Sequence, residues 1–195
     1  MNIVKQCTPA LVVLLMIGCG KNDQEQSAQM QKSPSITQGS KTSATSAGGV
    51  RWNLPERWKQ EGDRPMRVAT YAVPAAEGDE EDGECAAYYF GKDQGGDVKA
   101  NIQRWTAQFE NPSGPEQSTS EINGMNVTSV QITGTYLAPK GPMMQSEGKK
   151  EHYKLLGAII EAPEGSVFFK FTGPEKTVDA AKEEFNSLIQ SITKQ

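Results

Sequence analysis

The sequence contains few of the side chains from which metal centres and nucleophilic active sites are usually built. It has a single histidine, His152, and of its three cysteines only Cys85 lies in the main body of the chain. A structural zinc site needs four cysteine or histidine ligands, and a Ser-His-Asp or Cys-His site needs a histidine close to its nucleophile. No nucleophile motif accompanies His152. We therefore expect no metal site, no cofactor and no histidine-dependent catalysis, and we expect Cys85 to be a buried, inert thiol.

Positive charge is also scarce. The chain has 20 Lys and Arg residues against 24 Asp and Glu residues, for a formal net charge of −4 at pH 7. Nucleic-acid binding relies on clustered lysine and arginine side chains that neutralise phosphates, and no basic stripe with interleaved aromatic residues is present. The composition therefore predicts that nucleic acid is not a partner.

The chain has no apolar run long enough to cross a membrane as a helix, which takes about 20 residues. The apolar run ALVVLLMI covers residues 10–17, follows Lys5 and precedes Gly18 and Cys19. A short apolar core behind a small positive region is typical of a secretory signal peptide. The sequence therefore predicts that residues 1–18 are a signal peptide.

The four residues MIGC at 16–19 resemble the bacterial lipobox, a short apolar segment that ends in Gly or Ala before a cysteine. The resemblance implies that Cys19 is lipidated and becomes the first residue of the mature protein. The folded part would then be held at a membrane of the bacterial cell envelope, facing the periplasm or the cell surface. The alternative is a chance cysteine in an ordinary signal peptide.

Residues 20–49 contain only two large apolar side chains, Met30 and Ile36, among many Ser, Gln, Thr and Gly residues. Such a segment cannot bury enough apolar surface to offset the entropy lost on ordering. The composition predicts that a flexible tether follows the cysteine that the lipobox resemblance implies to be lipidated, so that the two together cover residues 19–49. Residues 50–195 are predicted to form a single domain.

The pattern of apolar residues within 50–195 predicts an α+β domain. Asn123-Gly124 is the preferred pair for a two-residue hairpin turn, and a long loop is expected at 137–151. The residues of 153–162 are apolar on both alternating faces, which is typical of a strand that is covered on both sides. We expect a mainly antiparallel sheet of about six or seven strands, with helices at 97–109 and 174–192 packed on opposite faces. The other predicted strands cover 66–73, 85–90 and 166–172.

The domain resembles the PsbP-like family, which includes the PsbP subunits of photosystem II and small bacterial lipoproteins of the DcrB type. The resemblance lies in the opening W-x-L-P-x-x-W at 52–58 and the closing F-T-G-P at 171–174, and it covers about residues 50–192. Its middle part looks closest to uncharacterised bacterial lipoproteins. The resemblance implies a non-catalytic binding or assembly role and supplies no catalytic residues.

The stretch YYFGKDQGGDVKANIQRW at 88–105 has the strand, glycine loop and helix layout of a phosphate-binding loop. Gly91 and Gly96 have the P-loop spacing, but Asp97 and Val98 stand where lysine and serine or threonine are required. A carboxylate at a helix N-terminus would repel phosphate and would instead complement the helix dipole. We interpret the stretch as a turn that leads into a helix beginning at Asp97.

The same stretch holds the one polar group that we single out as a possible binding patch. Its members are Gln94, Gly95, Gly96, Asn101 and Arg104. The sequence favours a binding or assembly module that contacts an envelope protein or a cell-wall component. Two alternatives stay open: a small hydrolase or other enzyme that uses acidic residues at 74–84 or 137–151, and a carrier of a small ligand or metal.

Overall fold

The computed structural model describes residues 45–140 and 145–195, and it describes side chains outside residues 139–147. The predicted signal peptide, Cys19 and most of the predicted tether lie outside these residues. The described elements, in chain order, are β1 Thr45–Ala47, β2 Val50–Trp52, β3 Lys59–Gln60, β4 Ala69–Val73, β5 Gly83–Tyr89, α1 Val98–Thr106, β6 Phe109–Ile122, β7 Met125–Lys140, β8 Gln145–Ile160, β9 Val167–Pro174, α2 Glu175–Ala180, α3 Lys182–Gln190 and β10 Thr193–Lys194.

Seven of the described strands form one antiparallel sheet in the order β3-β4-β5-β9-β8-β7-β6. Strands β1, β2 and β10 form a small second sheet. The large sheet confirms the predicted α+β class and the predicted number of strands. Asn123 and Gly124 join β6 to β7 with φ angles of 50° and 71°, as expected for the predicted two-residue hairpin turn.

The core lies in two layers, one on each face of the large sheet. Helices α2 and α3 pack on one face, and α1 packs on the other, which confirms the predicted placement of helices on opposite faces. Strand β8 contributes to both layers, because Leu156, Ala158 and Ile160 face α3 whereas Leu155 and Ile159 face α1. The predicted two-sided burial of this strand is therefore confirmed.

Three predicted boundaries are wrong, and pairing between strands explains the largest of them. Residues 137–151 were expected to form a loop, but β7 extends to Lys140 and β8 starts at Gln145. Register shifts beside Gly134 and Pro139 let the two strands stay paired through residues that have low strand propensity. The helix expected at 174–192 is divided at Ala181 into α2 and α3. Helix α1 ends at Thr106, and Phe109 already belongs to β6.

The folded domain begins earlier than the predicted boundary at residue 50. Thr45–Ala47 pairs with Val50–Trp52 as a hairpin, and Gly48 and Gly49 form its turn with φ angles of 63° and 77°. Two adjacent glycines adopt this left-handed conformation at no steric cost. The glycine pair was interpreted as the end of the flexible tether, whereas it closes the hairpin that opens the domain.

This boundary predicts different results for two truncations. Removing residues 1–44 should leave the melting temperature nearly unchanged, because composition predicts that these residues do not pack. Removing 1–49 also deletes β1 and the Thr45 hydroxyl that accepts a hydrogen bond from Tyr71 at 3.1 Å. We expect the longer deletion to lower the melting temperature by roughly 2–4 °C or more, because a loss of about 1 kcal/mol has this effect in a domain of this size. Equal melting temperatures for the two truncations would show that β1 adds no stability.

Candidate binding edge at strand β6

Strand β6 is the outer strand at one side of the large sheet, and it pairs with β7 on its inner side only. From Glu116 to Ile122 the pairing is regular, with Glu116 opposite Gln131 and Ile122 opposite Met125. Every residue from Glu116 to Glu121 is exposed. In an antiparallel strand, alternate residues direct their backbone N–H and C=O groups away from the neighbour. The outer side of β6 therefore offers a row of backbone groups that no described strand pairs with.

The two halves of β6 differ in how well this edge is protected from other chains. Proteins usually blunt an exposed edge with proline, lysine, bulges or a very short strand. The first half of β6 contains Pro112 and Pro115 and two register shifts between Glu110 and Glu116. The other edge of the sheet is β3, which is only two residues long. Residues 116–122 have no proline, lysine or register shift and carry charge only at Glu116 and Glu121, so residues 117–120 are open to a further strand.

A cavity of about 690 Å³ lies along β6 on the face that carries α1. Its walls are the outward side of α1 and the first half of β6. The lining is mainly apolar, and its members include Val98, Ile102, Phe109, Pro112 and Pro115. Gln117 closes the cavity at the start of the regular segment of β6. The apolar side of α1 therefore lies beside the first half of β6, next to the open segment.

A second cavity, of about 380 Å³, lies beside β6 on the face that carries α3. Most of its walls are polar, and Glu116 and Ser118 contribute from β6. Gln131 donates a hydrogen bond from Nε2 to Glu116 Oε2 at 3.3 Å and accepts one at Oε1 from Lys182 Nζ at 3.4 Å. Phe185 of α3 contributes an apolar portion of the lining. Both faces of the sheet therefore have a recess next to the same open edge.

This arrangement fits the binding of an extended polypeptide as an additional strand. Backbone hydrogen bonds to residues 116–122 would hold such a segment, and its side chains would alternate between the two faces. Next to residues 116–118, its side chains on one face would enter the apolar cavity beside α1, and those on the other face would enter the polar cavity beside α3. The geometry thus selects a segment in which apolar residues alternate with polar ones.

The structure brings the predicted patch at 94–104 together, and it shows what two of its side chains contact. Asn101 is buried and donates hydrogen bonds from Nδ2 to the carbonyl oxygens of Gly95 at 2.9 Å and Asp97 at 2.8 Å. Arg104 donates to Asn101 Oδ1 and, at 3.5 Å, to the Gly95 carbonyl. These contacts fix the loop on the helix. Ligand binding by Asn101 and Arg104 stays a prediction.

The other members of the patch lie in the loop itself. Gly95 and Gly96 have φ angles of 88° and 81°, which explains why both positions are glycine. A Cβ atom at Gly95 would also lie 2.8 Å from a ring atom of Phe90 and 2.9 Å from one of Phe168. Gln94 and Gly96 line a cavity of about 480 Å³ between this loop and residues 161–166. The cavity is separate from the β6 edge.

The interpretation of the glycine loop as the start of a helix is confirmed, because Asp97 is the N-cap of α1 and accepts a hydrogen bond from the Ala100 N–H at 2.7 Å. Replacing Asp97 by alanine should lower the free energy of unfolding by about 0.5–2 kcal/mol. Urea denaturation with and without inorganic phosphate measures this loss. The matched control is Asp63→Ala, at an exposed loop position. Stabilisation of the wild-type protein by phosphate would contradict this interpretation, since a ligand stabilises the state that binds it.

The carboxylates of the acidic segment 74–84 contact the domain itself. Asp79 accepts hydrogen bonds from the N–H of Thr177 at 2.9 Å and from its hydroxyl at 2.6 Å. Glu81 accepts from Lys150 Nζ at 2.5 Å and from the Tyr153 hydroxyl, and these two donors lower the pKa of Glu81. The segment therefore packs against β8 and α2. Its use as a catalytic surface stays untested.

His152 and Cys85 also have definite positions. His152 has a φ angle of 55° and lines a cavity of about 320 Å³ with Glu110, Glu151 and Glu175. Among the described residues, no group of three or more His, Cys, Asp or Glu side chains is placed to hold a metal ion. Cys85 is free and fully buried, as predicted, and burial raises the pKa of its thiol.

Sequence reasoning did not identify the β6 edge. The only local signal was the run from Glu116 to Ile122, which lacks proline, lysine and glycine and ends at the Asn123-Gly124 turn. Whether such a run lies at an edge or in the middle of a sheet depends on strand order, which no local pattern gives. In residues 45–140 and 145–195, no helix is long and apolar enough to cross a membrane.

The chain matches no protein-family model and no curated protein. Among solved structures it is similar to the cyanobacterial PsbP protein CyanoP of Synechocystis sp. PCC 6803, with 10% sequence identity and a TM-score of 0.49; the match covers 76% of this chain and 88% of that one. It is also similar to PA94, a protein of unknown function from Pseudomonas aeruginosa, with 11% identity and a TM-score of 0.46; the match covers 76% of this chain and 94% of that one. A PsbP protein is thus among the structures to which this α+β fold is similar. The lipoprotein and DcrB-type parts of the predicted resemblance stay predictions.

Proposed function

We propose that this chain is a membrane-anchored envelope lipoprotein whose domain binds an extended segment of another envelope protein and catalyses no reaction. One observation carries the binding part of the proposal. Residues 116–121 of β6 form a regular, exposed strand edge without proline, lysine or bulge, and a recess lies on each face at its start. An edge of this kind provides backbone hydrogen bonds for affinity and two sets of side-chain contacts for specificity.

The position at which the chain enters the domain supports this role. Thr45 accepts a hydrogen bond from Tyr71 of β4, and β4 lies at the side of the sheet opposite to β6. Five strand spacings of about 4.8 Å separate β4 from β6, so these two strands are about 24 Å apart. The hydrogen-bond partner of Thr45 therefore lies five strands away from the β6 edge.

The predicted anchor gives the domain access to partners near the membrane. About 25 flexible residues would precede Thr45 in the mature chain, and a random coil of that length has an r.m.s. span of roughly 28 Å. Two or three acyl chains on Cys19 would provide stable attachment where one chain is marginal. The domain could then bind extended partner segments that lie within roughly 28 Å of the anchor.

The anchor has a direct test. Replacing Cys19 by alanine should move the protein from the membrane fraction to the soluble fraction or leave the signal peptide uncleaved. The matched control is Cys7→Ala, which removes a cysteine from the same leader without touching the lipobox. A Cys19→Ala protein that is cleaved and remains in the membrane fraction like the wild type would refute lipid attachment at Cys19.

The binding proposal is tested by selection from a random peptide library displayed on phage, with the full chain in detergent as bait. We expect the selected peptides to share apolar residues at every second position and to lack proline in their central part. Selected peptides without a period of two would contradict strand addition. Failure to select any peptide, together with binding of purified cell-wall polymer, would favour the cell-wall component over a protein partner.

A further inference from the structure

Lys170 of β9 has an unusual environment on the α1 side of the sheet, just beyond the end of that helix. Its Nζ atom donates hydrogen bonds to Gln108 Oε1 at 2.5 Å and to the Tyr136 hydroxyl at 3.0 Å. It also lies 5.1 Å from the centre of the Tyr136 ring. Among the described residues, no carboxylate oxygen lies within 4 Å of this ammonium group. The partly buried charge therefore depends on two neutral oxygens and a ring.

Glu84, the acidic group whose charge acts on Lys170, is already paired with other cations. Glu84 of β5 accepts from Arg64 at 2.7 Å through one carboxylate oxygen and from Arg67 at 2.9 Å through the other. Arg67 also lies 5.8 Å from the centre of the Tyr88 ring. Arg64 also pairs with Glu61 at 2.5 Å, so this part of the sheet carries three cations and two carboxylates. Among the described residues, Lys170 is the one of these cations without an ion-pair partner.

The surrounding strands place small residues next to Lys170. Its register partners are Ala86 on β5 and Gly157 on β8. Neither partner has a long side chain, but the ring of Trp105 covers Gly157, so only the Ala86 side of Lys170 is bordered by a short side chain. The walls are aromatic, with Tyr88 on one side and Tyr136 on the other. A lysine ammonium has three N–H donors, and the described residues accept two of them here.

We propose that Lys170, together with Arg67 and the rings of Tyr88 and Tyr136, binds a carboxylate group that is attached to a small apolar body. The carboxylate would accept the third N–H of Lys170 and supply the missing negative charge. The rings would contact the apolar body. The chain terminus of a peptide and a short fatty acid share this chemistry. The site is distinct from the β6 edge and does not depend on it.

The pKa of Lys170 is consistent with this site, and a change in that pKa would report carboxylate binding. Burial, the largest cause, and the charge of Arg67 lower the pKa of Lys170, whereas Glu84 raises it; the resulting pKa is about 8. The phenol groups of Tyr88 and Tyr136 are uncharged in this range, because burial raises both of their pKa values. A bound carboxylate favours the ammonium form, so binding should raise the pKa of Lys170 and take up protons above about pH 8.

The test is a pH titration of the Lys170 side chain by NMR in the full chain with 13C-labelled lysine, kept in detergent. Saturating N-acetyl-alanyl-alanine or hexanoate should raise the Lys170 midpoint by about one pH unit or more, which corresponds to about tenfold tighter binding to the charged form. The C-terminal amide of the dipeptide should leave the midpoint unchanged. Lys170→Met identifies the signal, and Lys92→Met, at an exposed loop position, is the matched control.

The two probes distinguish the source of the carboxylate. A shift with the dipeptide alone assigns the site to a peptide terminus, and a shift with hexanoate alone assigns it to a fatty acid. An equal shift with the amide would mean that the carboxylate is not recognised. A midpoint that neither carboxylate moves at its solubility limit would overturn the proposal, whatever the stability of the Lys170→Met variant.

Discussion

Replacing Gly157 by alanine should lower the free energy of unfolding by roughly 3 kcal/mol, near the upper end of the usual cost of overpacking a core. An added Cβ atom would lie 2.3 Å from Cζ3 of Trp105 and 2.7 Å from Cγ1 of Val130. Both neighbours are buried, and Trp105 is the side chain through which α1 packs on β8. Alanine has at least the strand propensity of glycine, so the loss would come from the contact and not from the backbone. Urea denaturation measures it.

Two further variants identify the cause of this loss. Gly62→Ala is the matched control, because a Cβ atom at Gly62 would meet no atom within 4 Å. In a Trp105→Leu background, the cost of Gly157→Ala should fall by about 1 kcal/mol or more, since contacting residues show coupling of this size. Wild-type stability of Gly157→Ala would contradict the close packing of α1 on the sheet. It would also remove the basis for a rigid apolar wall beside β6.

Replacing Gln117 by lysine should weaken binding of a selected peptide at least tenfold, or about 1.4 kcal/mol. Gln117 is exposed, sits on the open segment of β6 and lines the apolar cavity beside α1. A lysine there would have to leave water when a strand is added, and edge lysines are a common protection against strand addition. The folded domain should be unaffected, because surface substitutions usually change stability by less than about 0.5 kcal/mol. Isothermal titration calorimetry with the peptide measures the loss.

The control for Gln117→Lys is Gln60→Lys, which makes the same replacement on β3 at the opposite edge of the same sheet. The two variants have equal net charge and equally exposed sites. We expect Gln60→Lys to bind the peptide with wild-type affinity. Equal weakening in both variants would indicate a general effect of charge, and no weakening in either would place the peptide elsewhere.

The elements that local sequence determines were predicted correctly. The Asn123-Gly124 turn, the Asp97 cap and the two-sided burial of 153–160 each follow from residues that are close together in the chain. The wrong boundaries involve partners that are distant in sequence. Residues 137–140 are extended because β8 pairs with them, and Gly48-Gly49 is a turn because β10 and β2 hold the hairpin.

Both proposed sites also depend on partners that are distant in sequence. Glu116–Ile122 becomes an open edge only because β6 is last in the strand order. Lys170 loses water because Gln108 and Tyr136, 62 and 34 residues away in sequence, pack around it. No residue next to Lys170 in the sequence indicates that its ammonium group is partly buried. The binding patch at 94–104 was found because its members are local, and their side chains turned out to contact the loop.

Amide hydrogen exchange of the full chain, with and without a selected peptide, tests the central proposal most directly. Strand addition pairs the outward N–H groups of β6, so we predict that binding slows exchange at alternate amides between Glu116 and Ile122. Amides of β3 and of the loop at 91–97 should exchange at the same rate in both samples. Protection of those amides instead, or unchanged exchange throughout 116–122 at saturating peptide, would show that β6 is not the binding edge.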